Sequence, residues 1–262
     1  MTTLMNDPLL IFRYPLFLFA ISFFVLWLSA WTAASRFTKI RSQVLEARED
    51  FEVIQASTLT LLALIIGFTF SMAAGRYDQR KNYEEAEANA IGTEYVRADL
   101  LPAADAAKAR ALLLNYLDER VLFYTTGDTQ QLEQINARTA KMQAEMWSAV
   151  QAPASAQPTP VIALAVAGMN DVLNSQGYTQ AAWWNRIPIA AWALMSAIAV
   201  CSTVLVGIGA RQAKAISRLL MIVPFVVSIA FFLIADIDSP RRGVIRVIPE
   251  NLLSLSQALH AQ

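Results

Sequence analysis

Few side chains in this sequence could act in catalysis or bind a metal. There is one cysteine, Cys201, and one histidine, His260. A single cysteine excludes an intrachain disulfide, and one cysteine with one histidine cannot complete a zinc site. Cys201 lies inside an apolar run, so we expect a packing residue rather than a nucleophile. No phosphate-binding loop, metalloprotease signature or nucleophile elbow is present.

Carboxylates are the remaining candidate catalysts, and they form two groups. Catalytic carboxylates need a pocket that separates their pKa values, whereas basic residues accompany both groups here. The first group therefore predicts a solvated helix face that pairs its own charges. The second has two carboxylates, fewer than the roughly six to eight oxygen ligands of calcium. We expect no enzyme, no metal site and no cofactor. The groups are Glu84, Glu85, Glu87, Glu94 and Asp99, and then Asp236 and Asp238.

The composition is that of a membrane protein. Hydrophobic residues make up 56% of the 262 residues and charged residues only 16%, against roughly 25% charged in soluble domains. Lys and Arg total 21, and so do Asp and Glu. With no net charge to attract an acidic polymer, no nucleic-acid partner is expected.

Four apolar stretches are long enough to cross a bilayer, whose hydrocarbon core takes about 20 helical residues. The first is too long for a signal peptide and leads to no cleavage site, so it is expected to be retained. None contains an ionisable Asp, Glu, Lys, Arg or His, which disfavours a proton-coupled carrier. A pore stays open, because apolar and hydroxyl residues can line one. The stretches are residues 15–34, 57–74, 189–210 and 219–235.

The segment between the second and third spans has helical patterns only. Residues 76–100 continue the second span without a proline. A helix over 103–126 repeats apolar residues on one face, and a third begins at Asp128 or Thr129 and ends near Val150. A fourth covers about 161–182. Three prolines at 153, 158 and 160 predict that the connector 152–160 is not helical.

These patterns define the predicted fold class, an all-α membrane protein. Four transmembrane helices carry a helical extramembrane bundle between the second and the third. The predicted domains are residues 1–75 with the first two membrane helices, 76–186 as the bundle, and 187–262 with the last two membrane helices and the tail.

The distribution of Lys and Arg does not decide which side of the membrane the loops lie on. The positive-inside rule favours cytoplasmic short loops, since they carry seven cations against four in the tails. Basic residues at the far end of the second span, Arg76, Arg80 and Lys81, oppose this assignment. The loop cations are Arg36, Lys39, Arg41, Arg48, Arg211, Lys214 and Arg218, and the tail cations are Arg13, Arg241, Arg242 and Arg246.

One row of residues on the second span has the spacing of a pore lining. Thr60, Leu64, Phe68, Met72 and Arg76 follow one another at every fourth position. Ordinary helix packing gives the same pattern, so both interpretations stay open. Four spans are few for enclosing an aqueous path, whereas several subunits around an axis would enclose one.

Two motifs resemble the bestrophin-like domain family, four-span membrane proteins found widely in bacteria. They are "LLALIIGFTFSMAAGRYDQRKNYEEAEANAIGTEYVRADLLP" at residues 61–102 and "ADIDSPRRGVIRV" at 235–247. The pair Gly67-Phe68, followed after seven residues by Arg76-Tyr77, is also similar to the pore helix of bestrophin channels.

This resemblance implies a homo-oligomeric passive channel in the bacterial inner membrane, a pentamer in bestrophins. Its partners would be the lipid bilayer and inorganic anions such as chloride, with anions favoured over cations. The implied hydrophobic neck is Thr60, Leu64 and Phe68, and the implied pore mouth is Arg76, Tyr77 and Arg80.

The chain departs from bestrophins in several places. Arg241 and Arg242 follow Asp236 and Asp238 where calcium-responsive bestrophins have an acidic run, so calcium gating is not expected. Thr60 stands where animal bestrophins have an apolar residue. Bestrophins also keep their soluble helices in the cytosol, against the loop charges here. The alternative function is a non-conducting scaffold or sensor that acts through the bundle, and a lipid-modifying enzyme is a third and weaker candidate.

Overall fold

The computed structural model describes residues 14–36, 47–210 and 219–261, and within these ranges the chain is helical with no strand. This confirms the all-α fold class. Several loop and tail cations (Arg13, Lys39, Arg41, Arg211, Lys214 and Arg218) lie outside the described residues. The α-helices are α1 Pro15–Arg36, α2 Arg48–Arg97, α3 Ala103–Thr125, α4 Thr129–Ala156, α5 Pro160–Trp184, α6 Ile189–Gly209, α7 Ile222–Asp238 and α8 Glu250–His260.

In the described part of the chain, four segments are long and apolar enough to cross a membrane. They lie in α1, in the first half of α2, in α6 and in α7. Each overlaps one of the predicted spans, although α7 itself begins at Ile222, after a 3₁₀ turn over Leu219–Met221. The prediction of four membrane helices with helices between the second and third is therefore confirmed.

Helix α2 is the longest element, with 50 residues and a length of about 75 Å. It begins at Arg48, before the predicted span, and passes Gly75 without interruption. A 3₁₀ turn, Ala98–Leu100, ends it just before Pro102. The prediction that the second span continues as a charged helix is confirmed.

One compact unit comprises Met1–Gly75 and Arg186–Arg246. Within it, α1 packs against both α6 and α7. The approach to α6 is close at Gly207, where a Cβ atom would overlap the Ala30 carbonyl of α1. Small residues at such crossings let membrane helices pack backbone to backbone. On the α7 side, the rings of Phe19 and Phe225 meet edge to face at 6.0 Å.

The other compact unit comprises Arg76–Asn185 and Val247–Gln262. Its core is formed by fully buried side chains of α3, α4 and α5, among them Leu113, Leu117, Ile135, Met146 and Val172. The apolar stripe predicted for α3 is thus the buried face of that helix. Burial of this face stabilises the helix in water more than its intrinsic propensity does.

The starts of α4 and α5 follow from their capping residues. The Asp128 side chain accepts from the Gln130 amide at 2.9 Å, and Thr159 accepts from the Ile162 amide at 3.2 Å, with Pro160 at the first helical position. Both arrangements satisfy amides that have no partner inside the helix.

The predicted end of α4 near Val150 is wrong, because the helix continues through Pro153 to Ala156. A proline this close to the end removes only its own hydrogen bond to the preceding turn. The next turn still closes, since the Gln157 amide donates to the Pro153 carbonyl at 2.8 Å. Pro153 is also buried, which offsets part of the lost bond.

The C-terminal helix α8 lies in the same unit as α3, α4 and α5. From the sequence, this tail is predicted to belong with the last two membrane helices. In the structure Leu252 is fully buried and Leu255 packs against Gly92 of α2. Apolar residues on one face of a short amphipathic helix account for this placement.

Candidate pore helix and its buried polar face

The three predicted neck residues lie on a face of α2 that the rest of the chain leaves uncovered. Phe68 is 63% exposed and Leu64 is 51% exposed. Thr60 is also exposed, and its hydroxyl donates to the Ala56 carbonyl at 2.8 Å. The opposite face, with Leu62 and Thr69, is buried. The structure therefore brings the three residues together, and their role as a neck stays a prediction.

A groove of about 500 Å³ separates another side of α2 from α7. Its walls are apolar, with Ile66 and Phe70 on α2 and Val226 and Leu233 on α7 among them. Successive residues of a helix are about 100° apart, so Phe70 points away from the row that contains Phe68. Because these side chains cannot form hydrogen bonds to water, the groove does not favour a water path.

The three predicted mouth residues lie in different environments. Arg76 and Tyr77 are partly exposed. Arg80 is fully buried, and its guanidinium donates to the carbonyls of Ala182 and Asn185, each at 3.2 Å. These carbonyls belong to the last turn of α5 and to its C-cap residue, Asn185, where a cation is favoured by the helix dipole. Any action of Arg80 at a pore mouth would therefore be through its charge, not direct contact.

The carboxylates that follow Arg80 on α2 do not form a solvated face. Glu84, Glu87 and Glu94 are fully buried, so the sequence prediction was wrong for them. Only Glu85 and Asp99 of that group are exposed. The buried positions recur on one side of the helix because they follow alternating steps of four and three residues, with Ile91 and Ala98 in the same row.

Glu87 is the centre of a buried network that joins α2, α3 and α5. Its carboxylate pairs with the guanidinium of Arg120. It also accepts hydrogen bonds from the hydroxyls of Tyr124, at 3.3 Å, and Thr179, at 3.1 Å. Burial, the largest single influence, lowers the pKa of Arg120, but the charge and hydrogen bond of Glu87 together with the neighbouring Tyr116 and Tyr124 raise that pKa overall. Burial and Glu87 both raise the pKa of Tyr124. These shifts keep Arg120 charged and Tyr124 neutral.

Glu84 holds the start of α8. One carboxylate oxygen accepts from the Leu252 amide at 2.9 Å, and the other accepts from the Asn251 side chain at 2.7 Å. The first turn of a helix has amides without internal partners and a partial positive charge. A buried carboxylate from another helix satisfies both.

Glu94 differs from the other two buried carboxylates. Among the described residues, neither of its carboxylate oxygens has a hydrogen-bond partner. Burial raises the pKa of Glu94 to about 8, Arg97 opposes this and Asp171 adds to it. Across from it on α5, a Cβ at Gly168 would overlap the carboxylate. Glycine at that position provides the space that Glu94 occupies.

The side chains of Asp236 and Asp238, near the end of α7, are buried and accept hydrogen bonds from backbone amides. Asp236 accepts from the amides of Val244 and Ile245, both at 2.7 Å. Asp238 accepts from the Ile187 amide at 3.2 Å. Within the described ranges, no group of three or more His, Cys, Asp or Glu side chains is arranged to hold a metal ion. These two carboxylates have a structural role that their sequence position did not reveal.

Sequence reasoning missed Arg120 as a partner of Glu87, although a signal was present. Arg120 occurs on the predicted apolar stripe of α3, between Leu117 and Tyr124. A charged residue inside such a stripe requires an opposite charge in the core. The alternating spacing of Arg80, Glu84 and Glu87 on α2 was the matching signal.

The chain belongs to the Bestrophin-like domain family, whose model matches residues 20–252. This confirms the resemblance carried by the two motifs.

Solved structures of a bacterial Bestrophin homologue from Klebsiella pneumoniae share the fold. One, solved by Zn-SAD phasing, has a TM-score of 0.61 at 14% identity, and the alignment covers 91% of this chain and 98% of the other. A single-residue variant of that homologue has a TM-score of 0.63 at 12% identity, with 93% and 98% covered. No curated protein matches this chain significantly.

Proposed function

We propose that this chain assembles into a homo-oligomeric passive channel of the bacterial inner membrane that favours inorganic anions over cations. The observation that carries the proposal is the uncovered row on α2, with Thr60, Leu64 and Phe68 exposed on a membrane-spanning helix. In a ring of subunits, each chain would contribute this row to a narrow hydrophobic neck. Membership of the bestrophin-like family supports the same assembly, and a pentamer is the number that the resemblance implies.

Charge supports the preference for anions. The spans contain no acidic residue, and Arg76, Tyr77 and Arg80 follow the second span directly as the proposed mouth. The nearest buried carboxylates, Glu84 and Glu87, are engaged by the start of α8 and by Arg120. Positive charge at the mouth would concentrate anions over about 10 Å, and salt would screen the effect.

Anion efflux from liposomes tests the neck. Replacing Phe68 by Ala removes the largest exposed side chain of the row and should raise chloride efflux several-fold over wild type. Phe70→Ala is the matched control, because it deletes the same ring from the groove side of the same helix. The proposal fails if wild-type protein conducts no more than empty liposomes, and the neck assignment fails if both variants behave like wild type.

A non-conducting scaffold or sensor is the second candidate, and one feature of the bundle favours it. An open groove of about 720 Å³ lies between α4 and α5, with Trp147, Ile162 and Val166 among its lining residues. Grooves of this size with aromatic and aliphatic walls are where partners or ligands bind. A well-folded oligomer without ion flux that loses a binding partner on Trp147→Ala would favour this function.

A further inference from the structure

The turn after α7 turns its acidic side chains inward and its basic side chains outward. Asp236 is 1% exposed and Asp238 is 7% exposed, and both are hydrogen-bonded to backbone amides. Arg242 and Arg246 of the same turn are exposed. Arg186, also exposed, donates to the Asp238 carbonyl. The surface of this turn is therefore cationic, although the chain as a whole has no net charge.

An aromatic ring from the start of α1 lies beneath this basic surface. The Arg242 guanidinium is 4.8 Å from the centroid of the Tyr14 ring, within cation–π range. Tyr14 immediately precedes the first membrane helix, and Arg242 closely follows the last one. The contact thus forms where two membrane helices of one unit end, which is the depth of the lipid headgroups.

Tyr14 also borders a shallow apolar groove. The other residues that line it are Leu16, Phe17 and Ala20, on the first turns of α1. Leu16 and Phe17 are largely exposed. Beyond the turn, Val244 is 81% exposed next to Arg242 and Arg246. A cationic surface and an apolar groove therefore share one side chain, that of Tyr14.

We propose that Arg242 and Arg246, together with Tyr14 and the groove beneath it, bind an acidic glycerophospholipid. The guanidinium of Arg242 would pair with the phosphate in a bidentate manner while resting on the Tyr14 ring, as suits arginine rather than lysine. An acyl chain would lie along Leu16, Phe17 and Ala20. The net positive charge of the turn selects a headgroup with net negative charge over a zwitterionic one.

The combination of surfaces identifies the ligand as a lipid. Free phosphate would use the arginines but would gain nothing from the apolar groove. A second copy of the chain would have to bring an acidic surface to the headgroup depth. A lipid fits both parts of the site, because its charged headgroup lies at the level of the arginines and its apolar chain lies at the level of the groove.

Native mass spectrometry tests the site without any need for conduction. Wild-type protein in nanodiscs of equal phosphatidylglycerol and phosphatidylcholine should retain phosphatidylglycerol in excess. Arg242→Gln should lower that excess about fivefold, the effect of one interfacial cation. Lys108→Gln is the matched control, since it removes one exposed charge from α3 in the bundle and should change nothing.

Two further variants separate the parts of the site. Arg242→Lys keeps the charge but loses the planar, bidentate group, so it should retain only part of the preference. Tyr14→Leu keeps an apolar side chain but removes the ring. If Arg242→Gln does not fold, Arg242→Lys and the wild-type lipid ratio still decide the question.

Three results would overturn the proposal. The first is equal retention of the two lipids by the wild type. The second is displacement of phosphatidylglycerol by millimolar inorganic phosphate, which would assign the arginines to a free anion. The third is a change in oligomer mass on Arg242→Gln with the lipid ratio unaltered, which would make the surface a contact between subunits.

Discussion

Four ionisable side chains on α2 are withdrawn from water, and three of them receive matched partners. Arg80 bonds to the end of α5, Glu84 to the start of α8 and Glu87 to Arg120. Glu94 has no such partner among the described residues. A buried carboxyl without compensation is more stable in its neutral form. Protonation therefore removes the negative charge at Glu94, whereas the charge of Glu87 is compensated by its ion pair with Arg120.

The stability of the protein should fall with rising pH because of Glu94. Its pKa is about 8 in the folded protein against an ordinary 4.5, so the folded state retains a proton that the unfolded state loses between these values. The contribution is complete below about pH 4.5 and is lost as the pH rises through 8. Its size is of the order of 2–5 kcal/mol. Thermal unfolding from pH 6 to 9 measures it.

Substitution separates Glu94 from other groups that titrate. Glu94→Gln should give a melting temperature with a much flatter dependence on pH over that interval. Glu85→Gln, which changes an exposed neighbour on the same helix, should keep the slope of the wild type. Equal slopes in all three proteins would show that Glu94 is not the group responsible.

At the scale of elements, the attachment of α8 depends on Glu84. Glu84→Gln keeps the shape of the side chain but replaces an acceptor oxygen by an amide that faces the donor group of Asn251. Hydrogen bonds to charged groups contribute about 1.5–3 kcal/mol. We expect α8 to detach more often, and tryptic cleavage after Arg246 to release residues 247–262 about tenfold faster. Glu85→Gln is again the control, and an unchanged cleavage rate in Glu84→Gln would contradict this role.

The sequence predicted the helices better than it predicted which side chains pair with one another in the core. The helix start next to Asp128 was predicted from local capping chemistry, and the positions of the four spans, to within a few residues, were predicted from hydropathy. The end of α4 was missed because a buried Pro153 close to a terminus costs little. The buried carboxylates were missed for another reason. Glu87 and Glu84 are neutralised by residues 33 and 168 positions away, and no local pattern reports such distances.

In the candidate site, too, local spacing predicted some features, whereas others depend on helices that are distant in the sequence. Spacing alone placed Thr60, Leu64 and Phe68 on one face, because a helix fixes that relation. Spacing could not show that Arg80 would be buried, since its burial depends on the position of α5. Whether the uncovered face meets water, lipid or another subunit depends on assembly, which a single chain does not specify.

At the scale of the whole molecule, the uncovered row on α2 predicts self-association. Exposed residues such as Phe68 and Leu64 would be shielded or would line a lumen in a ring of subunits. Mass photometry or light scattering with detergent correction should give about five times the chain mass of 28.9 kDa. A monomer would leave the channel proposal without support, whereas a dimer would favour the scaffold.

The bond between Glu84 and the start of α8 also constrains how the protein is made. The two partners are separated by 168 positions in the chain. Ribosomes add about 5–20 residues per second, so Glu84 emerges roughly 10 to 30 s before Leu252. During that interval two of the four membrane helices, α6 and α7, and most of the bundle are synthesised while this carboxylate still lacks its final partner. Completion of the bundle core therefore waits for the synthesis of α8, so this unit cannot finish folding before both later membrane helices have been made.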